Sequence, residues 1–429
     1  MKRSVSFLLK SLIFLASLIL LVACGPEEGG DTTSGNKQSK SKDEEYDLLI
    51  WEDVEKSAGI EDAIKKFEEE HGVKIKVVEK EYAHQIEDLR LDGPAGTGPD
   101  VLTIPGDQIG TAVTEGLLKE LNVSEEEQSI FTDVAMQSQI VDGKVYGLPK
   151  AVETTILFYN KDLVSEDKLP TTLEEWYEFS KGIVDGETFG FLALFDQIYY
   201  THSVMYPYGG YIFAVDENGN YDVNDIGLNN DGAVQAVEYI KKFYEDGLFP
   251  AGIIGEQGIQ VLDSLFSEGK AAAVISGPWN LEPFARAGIN YGVAPLPLLE
   301  NGERMHSFLG VKSYNVSAYS KNPELAEEFV KFITNEENSR VRYEITQEVP
   351  AVKSLADDSV VTSNEAAQAV AEQSQHSVLT PNVPEMNQVW EPIDAALQNI
   401  ATGQVEVKEA LDQAVEIIRG QIEAHHSGN

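Results

Sequence analysis

The chain has 429 residues, a length that predicts roughly two to three domains. Its formal charge of −40, from 72 acidic and 32 basic residues, excludes a nucleic-acid backbone as partner and argues against broad contact with an anionic membrane, because both need a surplus of Lys and Arg. The 42% hydrophobic content can supply real cores, and the single Cys excludes an intrachain disulfide framework or a Cys-based zinc cluster.

The first 23 residues predict a secretory signal peptide. Basic residues occur within the first ten, and residues 11–23 are almost wholly apolar but shorter than the stretch of about 20 that spans a bilayer. The run ends in Leu-Val-Ala-Cys-Gly, residues 21–25, which resembles a bacterial lipobox. This resemblance implies cleavage before Cys24 and a lipid anchor on its sulfur. The alternative is a buried structural Cys after a failed signal.

Residues 24–45 predict a flexible tether. After Cys24 the segment contains no large apolar residue and consists mostly of Gly, Ser, Thr, Lys and acids. Two acyl chains give stable membrane attachment where one does not. The expected location is therefore the extracellular face of the cytoplasmic membrane, in the manner of Gram-positive lipoproteins. Removing residues 1–23 takes away three positive charges, so the mature charge becomes −40 − 3 = −43.

Beyond residue 45, strand and helix patterns alternate. The apolar run 48–51 and the runs 73–77 and 100–104 predict strands, and the spacing of apolar residues over 60–67 predicts a helix that ends at His71-Gly72. This order is typical of an open parallel sheet with helices on both faces. Further helices are predicted over 234–243, 325–333 and 407–422, and further strands near 145–159, 271–276, 291–296 and 308–318. The chain is a mixed α/β protein that is too long for one compact sheet.

Catalytic and metal-binding patterns are absent from the sequence. The seven His residues have no spacing typical of metal ligands, and there is no phosphate-binding Gly-rich loop and no Gly-x-Ser-x-Gly elbow. The 72 acidic residues guarantee chance pairs, so a glycosidase pair can be neither identified nor excluded by counting. The sequence therefore predicts no metal, no cofactor and no catalytic residue.

Several short stretches together resemble the maltose/maltodextrin-binding proteins of ATP-driven importers, a cluster of extracellular solute-binding proteins. The likeness runs collinearly from about residue 46 to about residue 423. It is carried by the order and spacing of Ile50-Trp51, Gly98-Pro99-Asp100, Glu115-Gly116-Leu117-Leu118, Ala151-Val152-Glu153, Tyr159-Asn160-Lys161-Asp162-Leu163, Gly209-Gly210-Tyr211, Gly277-Pro278-Trp279 and Pro381-Asn382-Val383-Pro384.

The resemblance implies a two-lobed, periplasmic-binding-protein-like α/β fold, with open sheets flanked by helices and a ligand cleft between hinge-linked lobes. Lobe 1 is expected to comprise 46–151 and 313–358, and lobe 2 to comprise 156–308 and 364–429. The implied function is that of a monomeric receptor, not an enzyme. It binds a maltose/maltodextrin-type oligosaccharide and delivers it to the transmembrane permease subunits of an ABC importer.

The resemblance also assigns the ligand-binding side chains. Sugars present C–H faces and hydroxyl edges, so a site needs flat aromatic surfaces together with paired acceptors and donors. The stacking rings correspond to Tyr199, Trp279 and Trp390, and the polar groups to Glu55, Lys56, Asp107 and Glu153. Asp107 follows the third strand, at the edge where open α/β sheets bind ligands. Trp51 is assigned to either the cleft wall or the core, Trp176 to the core, and Glu52 and Asp53 are additional candidates.

The chain also departs from the pattern of that family. An aromatic residue is replaced by Ile104, and an Arg beside the acidic position by Gln108. An acid before the stacking Tyr becomes Gln197, and a Tyr and an Arg near the cleft become Ile259 and Asp394. These changes leave open the sugar, its linkage and its chain length. The alternatives are a receptor for a different oligosaccharide, a tethered glycoside hydrolase, or a structural or adhesive lipoprotein.

Overall fold

The structure of the chain is a computed structural model that describes residues 46–216 and 220–427. The predicted signal peptide, the tether and the Cys24 anchor lie outside the described residues. Within the described part of the chain, no helix combines the length and the apolar character that crossing a membrane requires.

The strands are short, and those in the middle of the two larger sheets are buried. Their bounds are β1 (Leu48–Glu52), β2 (Ile75–Glu79), β3 (Val101–Pro105), β4 (Ile140–Val141), β5 (Lys144–Val145), β6 (Gly147–Thr154), β7 (Ile156–Asn160), β8 (Phe189–Leu192), β9 (Ala214–Val215), β10 (Tyr221–Asp222), β11 (Ala271–Ser276), β12 (Tyr291–Ala294), β13 (Ser307–Val316) and β14 (Ser377–Leu379).

Helices occupy most of the remaining chain. Their bounds are α1 (Glu61–His71), α2 (Gln85–Ala95), α3 (Ile109–Thr114), α4 (Glu125–Ser129), α5 (Asp133–Gln137), α6 (Leu173–Ile183), α7 (Ile198–Met205), α8 (Asp231–Glu245), α9 (Gly258–Ser267), α10 (Leu281–Ala287), α11 (Pro323–Ile333), α12 (Glu336–Thr346), α13 (Lys353–Ala356), α14 (Ser359–Thr362), α15 (Glu365–Ser374), α16 (Trp390–Ala401) and α17 (Val407–Ser427).

The first sheet has the strand order β14-β13-β3-β1-β2. A sixth strand, β6, also pairs with β13. β1 is parallel to β2 and β3, as the sequence predicts, whereas β13 runs antiparallel to β3 and β6. The helix α1 buries Ile64 and Phe67 and ends where Gly72 adopts a left-handed conformation, with φ of 68°. Only a residue without a Cβ adopts this conformation readily, so the predicted helix end is confirmed.

The second sheet has the order β12-β7-β11-β8, and α6 packs on β8 while α9 packs on β11. Trp176 of α6 is fully buried and its ring centroid lies 6.0 Å from that of Phe191 on β8, which confirms its predicted place in the core. The predicted helices over 234–243, 325–333 and 407–422 are also confirmed, as α8, α11 and α17.

The chain passes between the two sheets through short extended connections. The predicted strand run 145–159 divides at Thr155 into β6 and β7, because its first part joins the first sheet and its second part joins the second. Hydroxyl contacts tie β6, β13 and β14 together: Thr154 Oγ1 lies 2.6 Å from Ser307 Oγ, which lies 2.9 Å from Ser377 Oγ. We call β6, β13 and β14 the crossing strands. β14 falls in the range expected for lobe 2 but pairs with β13 of the first sheet.

Candidate functional site

Three adjoining cavities run along the ends of the two sheets. The central cavity, of about 300 Å³, is lined by Asp107, Glu153 and Tyr199. The Trp279 cavity shares Glu153 and Lys312 with the central cavity, and the Trp390 cavity shares Asp107 and Gln108 with it. The arrangement therefore brings six of the predicted ligand-binding residues onto one continuous surface: Lys56, Asp107, Glu153, Tyr199, Trp279 and Trp390.

Ends of regular elements present most of these side chains. Asp107 lies in the short turn directly after β3, and Glu153 lies near the end of β6. Tyr199 lies in the first turn of α7, Trp279 in the turn after β11, and Trp390 at the first residue of α16. Open α/β sheets bind ligands at such strand ends, where loops can present side chains without disturbing the core.

The central cavity contains a cluster of charges around Lys312. Its ammonium lies 3.7 Å from Glu153, 3.5 Å from Asp53 and 3.3 Å from Glu348. Burial by itself would lower the pKa of Lys312, but the surrounding carboxylates, led by Glu153, raise it above its ordinary value. Lys312 is therefore a fixed cation that lines the central cavity together with its partner Glu153.

Tyr82 completes this cluster. Its hydroxyl donates to Glu153 Oε1 at 3.4 Å, and the Lys312 ammonium lies 4.6 Å from its ring centroid. Burial and the charge of Glu153 raise the pKa of the phenol, so it stays a neutral donor. The ring adds a further flat surface to the cavity.

Sequence reasoning missed Tyr82 and Lys312. The only signal for Lys312 is a cation in the middle of the otherwise uncharged strand run over 307–316. Tyr82 lies in the short turn Tyr82–His84 and follows no periodic pattern. Asp53, an additional candidate from the sequence, contacts Lys312 but lines none of the three cavities.

A buried ionic network adjoins the charge cluster around Lys312. The ammonium of Lys150 lies 2.5 Å from Glu52 and 3.2 Å from Glu348, and the Tyr314 hydroxyl donates to Glu52 Oε2 at 2.6 Å. Burial alone would raise the pKa of Glu348, but the ammonium groups of Lys150, Lys312 and Lys56 lower it to about 2. Glu52 is therefore a structural member of the network. Glu348 contacts both Lys150 and Lys312 and so joins the network to the charge cluster.

Asp107 differs from the other carboxylates because no cation lies within salt-bridge distance of it in the described chain. Desolvation by the surrounding protein raises the pKa of its carboxyl, while backbone N–H groups of its own turn act in the opposite direction. The residue is nevertheless exposed and lines the central cavity. A carboxylate in this state gains most from hydroxyl donors on a ligand.

Trp279 presents an exposed aromatic face. Its side chain is 44% exposed, and its ring lies over Gly277, where a Cβ would come within 2.1 Å of the ring. The neighbouring Asn280 amide donates to Asp263 Oδ1 at 2.7 Å and to Ser276 Oγ at 2.8 Å, which fixes the turn. A large apolar ring held rigidly in this exposure is typical of a binding surface.

Tyr199 and Trp390 share a supporting ring. The ring centroid of Phe308, on the crossing strand β13, lies 5.8 Å from that of Tyr199 and 6.4 Å from that of Trp390. Burial raises the pKa of the Tyr199 phenol, and the charges of Glu153 and Asp107 act in the same direction, which places the hydroxyl in their field. The aromatic surfaces and the carboxylates thus face the same space.

Two predicted residues lie outside these three cavities. Trp51 is 2% exposed, packs in the core of the first sheet, and has the Lys80 ammonium 3.8 Å from its ring centroid. Its burial favours the core assignment over the cleft wall. Glu55 is exposed in the loop after β1, with φ of 62°, and its neighbour Lys56 reaches the carbonyl oxygen of Thr346 at 3.4 Å.

A larger cavity, of about 460 Å³, adjoins the central one through Phe308 and Leu379. It is lined mainly by apolar and aromatic groups, including Tyr206 and Phe213, and it contains none of the predicted ligand-binding residues. Size alone therefore does not identify the site, and we assign it to the cavities where rings and carboxylates converge. Residues 46–216 and 220–427 hold no group of three His, Cys, Asp or Glu side chains arranged as metal ligands.

Comparison with known proteins gives consistent results. The sequence profile of the family described as bacterial extracellular solute-binding protein matches residues 62–369. A galactooligosaccharide-binding protein of Bacillus subtilis (strain 168) is 65% identical over 408 residues, which cover 95% of each chain. A maltooligosaccharide ABC transporter solute-binding lipoprotein of Streptococcus pneumoniae (strain ATCC BAA-255 / R6) is 34% identical over 96% of this chain and 95% of that one.

The fold has solved counterparts. A cyclo/maltodextrin-binding protein complexed with maltotetraose matches with a TM-score of 0.82 at 36% sequence identity, over 87% of this chain and 97% of that one. A maltose-binding protein from Listeria monocytogenes in complex with maltose matches with a TM-score of 0.81 at 34% identity, over 88% and 98% of the two chains. These matches confirm the two-lobed fold that the sequence predicts.

Proposed function

This chain belongs to the bacterial extracellular solute-binding proteins and is an oligosaccharide-binding component of an ABC importer, and from this premise we propose that its preferred ligand is a galactooligosaccharide. The observation that carries the proposal is the 65% identity to a galactooligosaccharide-binding protein over nearly the whole chain. The identity to the maltooligosaccharide-binding lipoprotein is about half as high. Maltodextrin, the ligand expected from the sequence, becomes the alternative.

The site chemistry supports an oligosaccharide. Rings at Tyr199, Trp279 and Trp390 lie along adjoining cavities, as a linear ligand of several sugar units requires. The carboxylates of Asp107 and Glu153 supply acceptors for hydroxyl groups beside them. We propose that these five residues, together with Lys56 and Tyr82, contact the ligand.

The departures from the maltodextrin-binding pattern favour a different sugar. Gln108 lines both the central and the Trp390 cavities in place of an Arg, and Asp394, on the helix that begins with Trp390, also replaces an Arg. Each exchange removes a guanidinium group, with its positive charge and its several N–H donors. Galactose differs from glucose in the orientation of one hydroxyl, at C4. A changed pattern of donors around the rings is the kind of difference that discriminates the two sugars.

Calorimetry with galactotriose and maltotriose tests the proposal. We expect galactotriose to bind more tightly, and at a ligand concentration of 100 times its Kd the folded protein gains about 2.7 kcal/mol, visible as a rise in melting temperature. Tighter binding of maltotriose would restore the maltodextrin assignment. Binding of neither sugar would contradict the site.

We propose further that the protein binds its sugar without hydrolysing it. A hydrolase needs two carboxyl groups on either side of the scissile bond, one of them able to donate a proton. In the central cavity the Glu153 carboxylate already accepts from the Tyr82 hydroxyl and lies 3.7 Å from the Lys312 ammonium, so groups of the protein itself engage it. Prolonged incubation with galactotriose at micromolar protein should yield no shorter product. Steady product release would establish the hydrolase instead.

The remaining proposals concern location and assembly. We propose that Cys24 carries a lipid that holds a monomeric receptor at the extracellular membrane face, with the lobes divided as predicted from the sequence except that β14 belongs with the first sheet. The lipoprotein from Streptococcus pneumoniae supports this anchor, and the change of sheet at Thr155 supports the division. Labelling of growing cells with radioactive palmitate should mark the wild-type protein, and the Cys24→Ala variant should be unlabelled. Equal labelling of both would contradict the anchor.

A further inference from the structure

The first turn of α7 lacks a cap from its own segment. The backbone N–H of Ile198, the first residue of the helix, is one of the donors that a helix leaves without an internal partner. Gln197 precedes it and provides no side-chain cap. The acceptor comes from a distant helix: Asp394 Oδ1 of α16 accepts from the Ile198 N–H at 2.7 Å.

Another nearby carboxylate is already engaged. Asp196 is fully buried in the loop before α7, and its Oδ2 accepts from the Gly255 N–H at 2.7 Å. Asp394 therefore supplies a distinct contact, in which a negative group meets the positive end of the α7 dipole. The bond is short and charge-assisted, and it joins two elements that are 196 residues apart in the chain.

The two joined helices each carry a ring of the site. Tyr199 follows Ile198 directly, and Trp390 precedes Asp394 by four residues, so Trp390 and Asp394 lie on the same face of α16. Both rings also contact Phe308. The ring contacts with Phe308 alone would allow α7 and α16 to slide against each other. The directed hydrogen bond between Asp394 and Ile198 fixes the position of one helix relative to the other.

We propose that Asp394 is a positioning residue for oligosaccharide binding, which holds the Tyr199 ring at a set place relative to the Trp390 ring by fixing the start of α7 against α16. The inference rests on the proposed function, since Tyr199 lines the central cavity and Trp390 the adjoining one. A ligand long enough to reach both rings depends on their spacing, and a ligand that reaches only one does not.

Two substitutions remove the hydrogen bond from opposite sides. Asp394→Ala removes the acceptor. Ile198→Pro removes the donor at the first helical position, where Pro is tolerated and the preceding residue is already extended. Asp394→Asn keeps an oxygen that can accept from the same N–H. Glu391→Ala, an exposed acid on the same helix, serves as the matched control.

The measurement is the affinity of each variant for galactobiose and for galactotetraose by calorimetry. We expect Asp394→Ala and Ile198→Pro to weaken tetrasaccharide binding about tenfold, in line with the loss of a helix cap, and to change disaccharide binding by less than about twofold. Asp394→Asn and Glu391→Ala should both stay within about twofold of the wild type for both ligands.

Several results would contradict this proposal. An equal loss for both ligands, no loss in Asp394→Ala, or an Asp394→Asn variant as weak as Asp394→Ala would each overturn the positioning role. If Asp394→Ala does not fold, the Ile198→Pro and Asp394→Asn variants decide the question in the same way. A wild-type protein that binds neither galactooligosaccharide overturns the proposed function, and the inference with it.

Discussion

At the scale of single residues, exposure separates Trp176, which packs in the core, from Trp279, which is placed to bind. Trp279 is 44% exposed and Trp176 is fully buried, although both lie at the start of helical turns. Trp279→Ala should weaken oligosaccharide binding by about 1–3 kcal/mol, the usual cost of truncating an aromatic contact, and leave the free energy of unfolding nearly unchanged. Trp176→Ala should instead destabilise the fold by about 3–5 kcal/mol. Calorimetry and urea unfolding of both variants distinguish these effects, and wild-type affinity in Trp279→Ala would remove that residue from the site.

Asp394 also links stability to pH. Burial and the nearby charge of Asp196 raise the pKa of its carboxyl from 3.8 to about 6, against the lowering effect of the Ile198 N–H. Between these values the folded protein keeps a proton that the unfolded chain releases. The stability of the wild type relative to Asp394→Asn should therefore fall as pH rises from about 4 to about 7, by up to about 3 kcal/mol. Urea unfolding of both proteins across this range measures the difference, and a difference that does not vary with pH contradicts it.

At the scale of elements, the buried network around Lys150 joins β1, β6, β13 and the segment after α12. Lys150→Met leaves the carboxylate of Glu52 buried without its cation, which should destabilise the protein by about 3–5 kcal/mol. Adding Glu52→Gln should recover part of that loss. Lys65→Met removes the exposed partner of Asp62 and should change the free energy of unfolding by less than about 1 kcal/mol. If the loss in Lys150→Met is no larger than in Lys65→Met, the network has no structural role.

The elements themselves were largely predictable from sequence, and the polar cluster was not. Apolar runs and helical spacing predict β1, α1, α8, α11 and α17, because burial of one face of an element requires a regular local spacing of apolar residues. The meeting of Tyr82, Glu153, Lys312 and Glu348 depends instead on how the crossing strands align distant segments. Gly310 lies opposite Glu153 on β13, and a Cβ there would come within 2.9 Å of Glu153 Cγ. No local sequence pattern around Gly310 predicts that contact.

At the scale of the whole molecule, the site draws on both sheets. Asp107 follows β3 and Glu153 lies near the end of β6, both strands of the first sheet, whereas Trp279 follows a strand of the second. A ligand that contacts both groups binds a closed arrangement of the lobes better than an open one, and it shifts the population by that difference in affinity. The chain passes between the two sheets at Thr155, beside the hydroxyl contacts of Thr154, Ser307 and Ser377, and we expect the lobes to move about this region.

Small-angle scattering tests this closure directly. Saturation with galactotriose should lower the radius of gyration, because the hinge population moves towards the closed form. Trp279→Ala should show the same decrease only at higher ligand concentration, since the ring contributes affinity rather than the hinge itself. A sugar that calorimetry shows not to bind serves as the control and should leave the scattering unchanged. An unchanged radius of gyration at saturating galactotriose would mean that the ligand binds one fixed arrangement, and delivery to the permease would then have to be signalled by the exposed surface of the bound sugar.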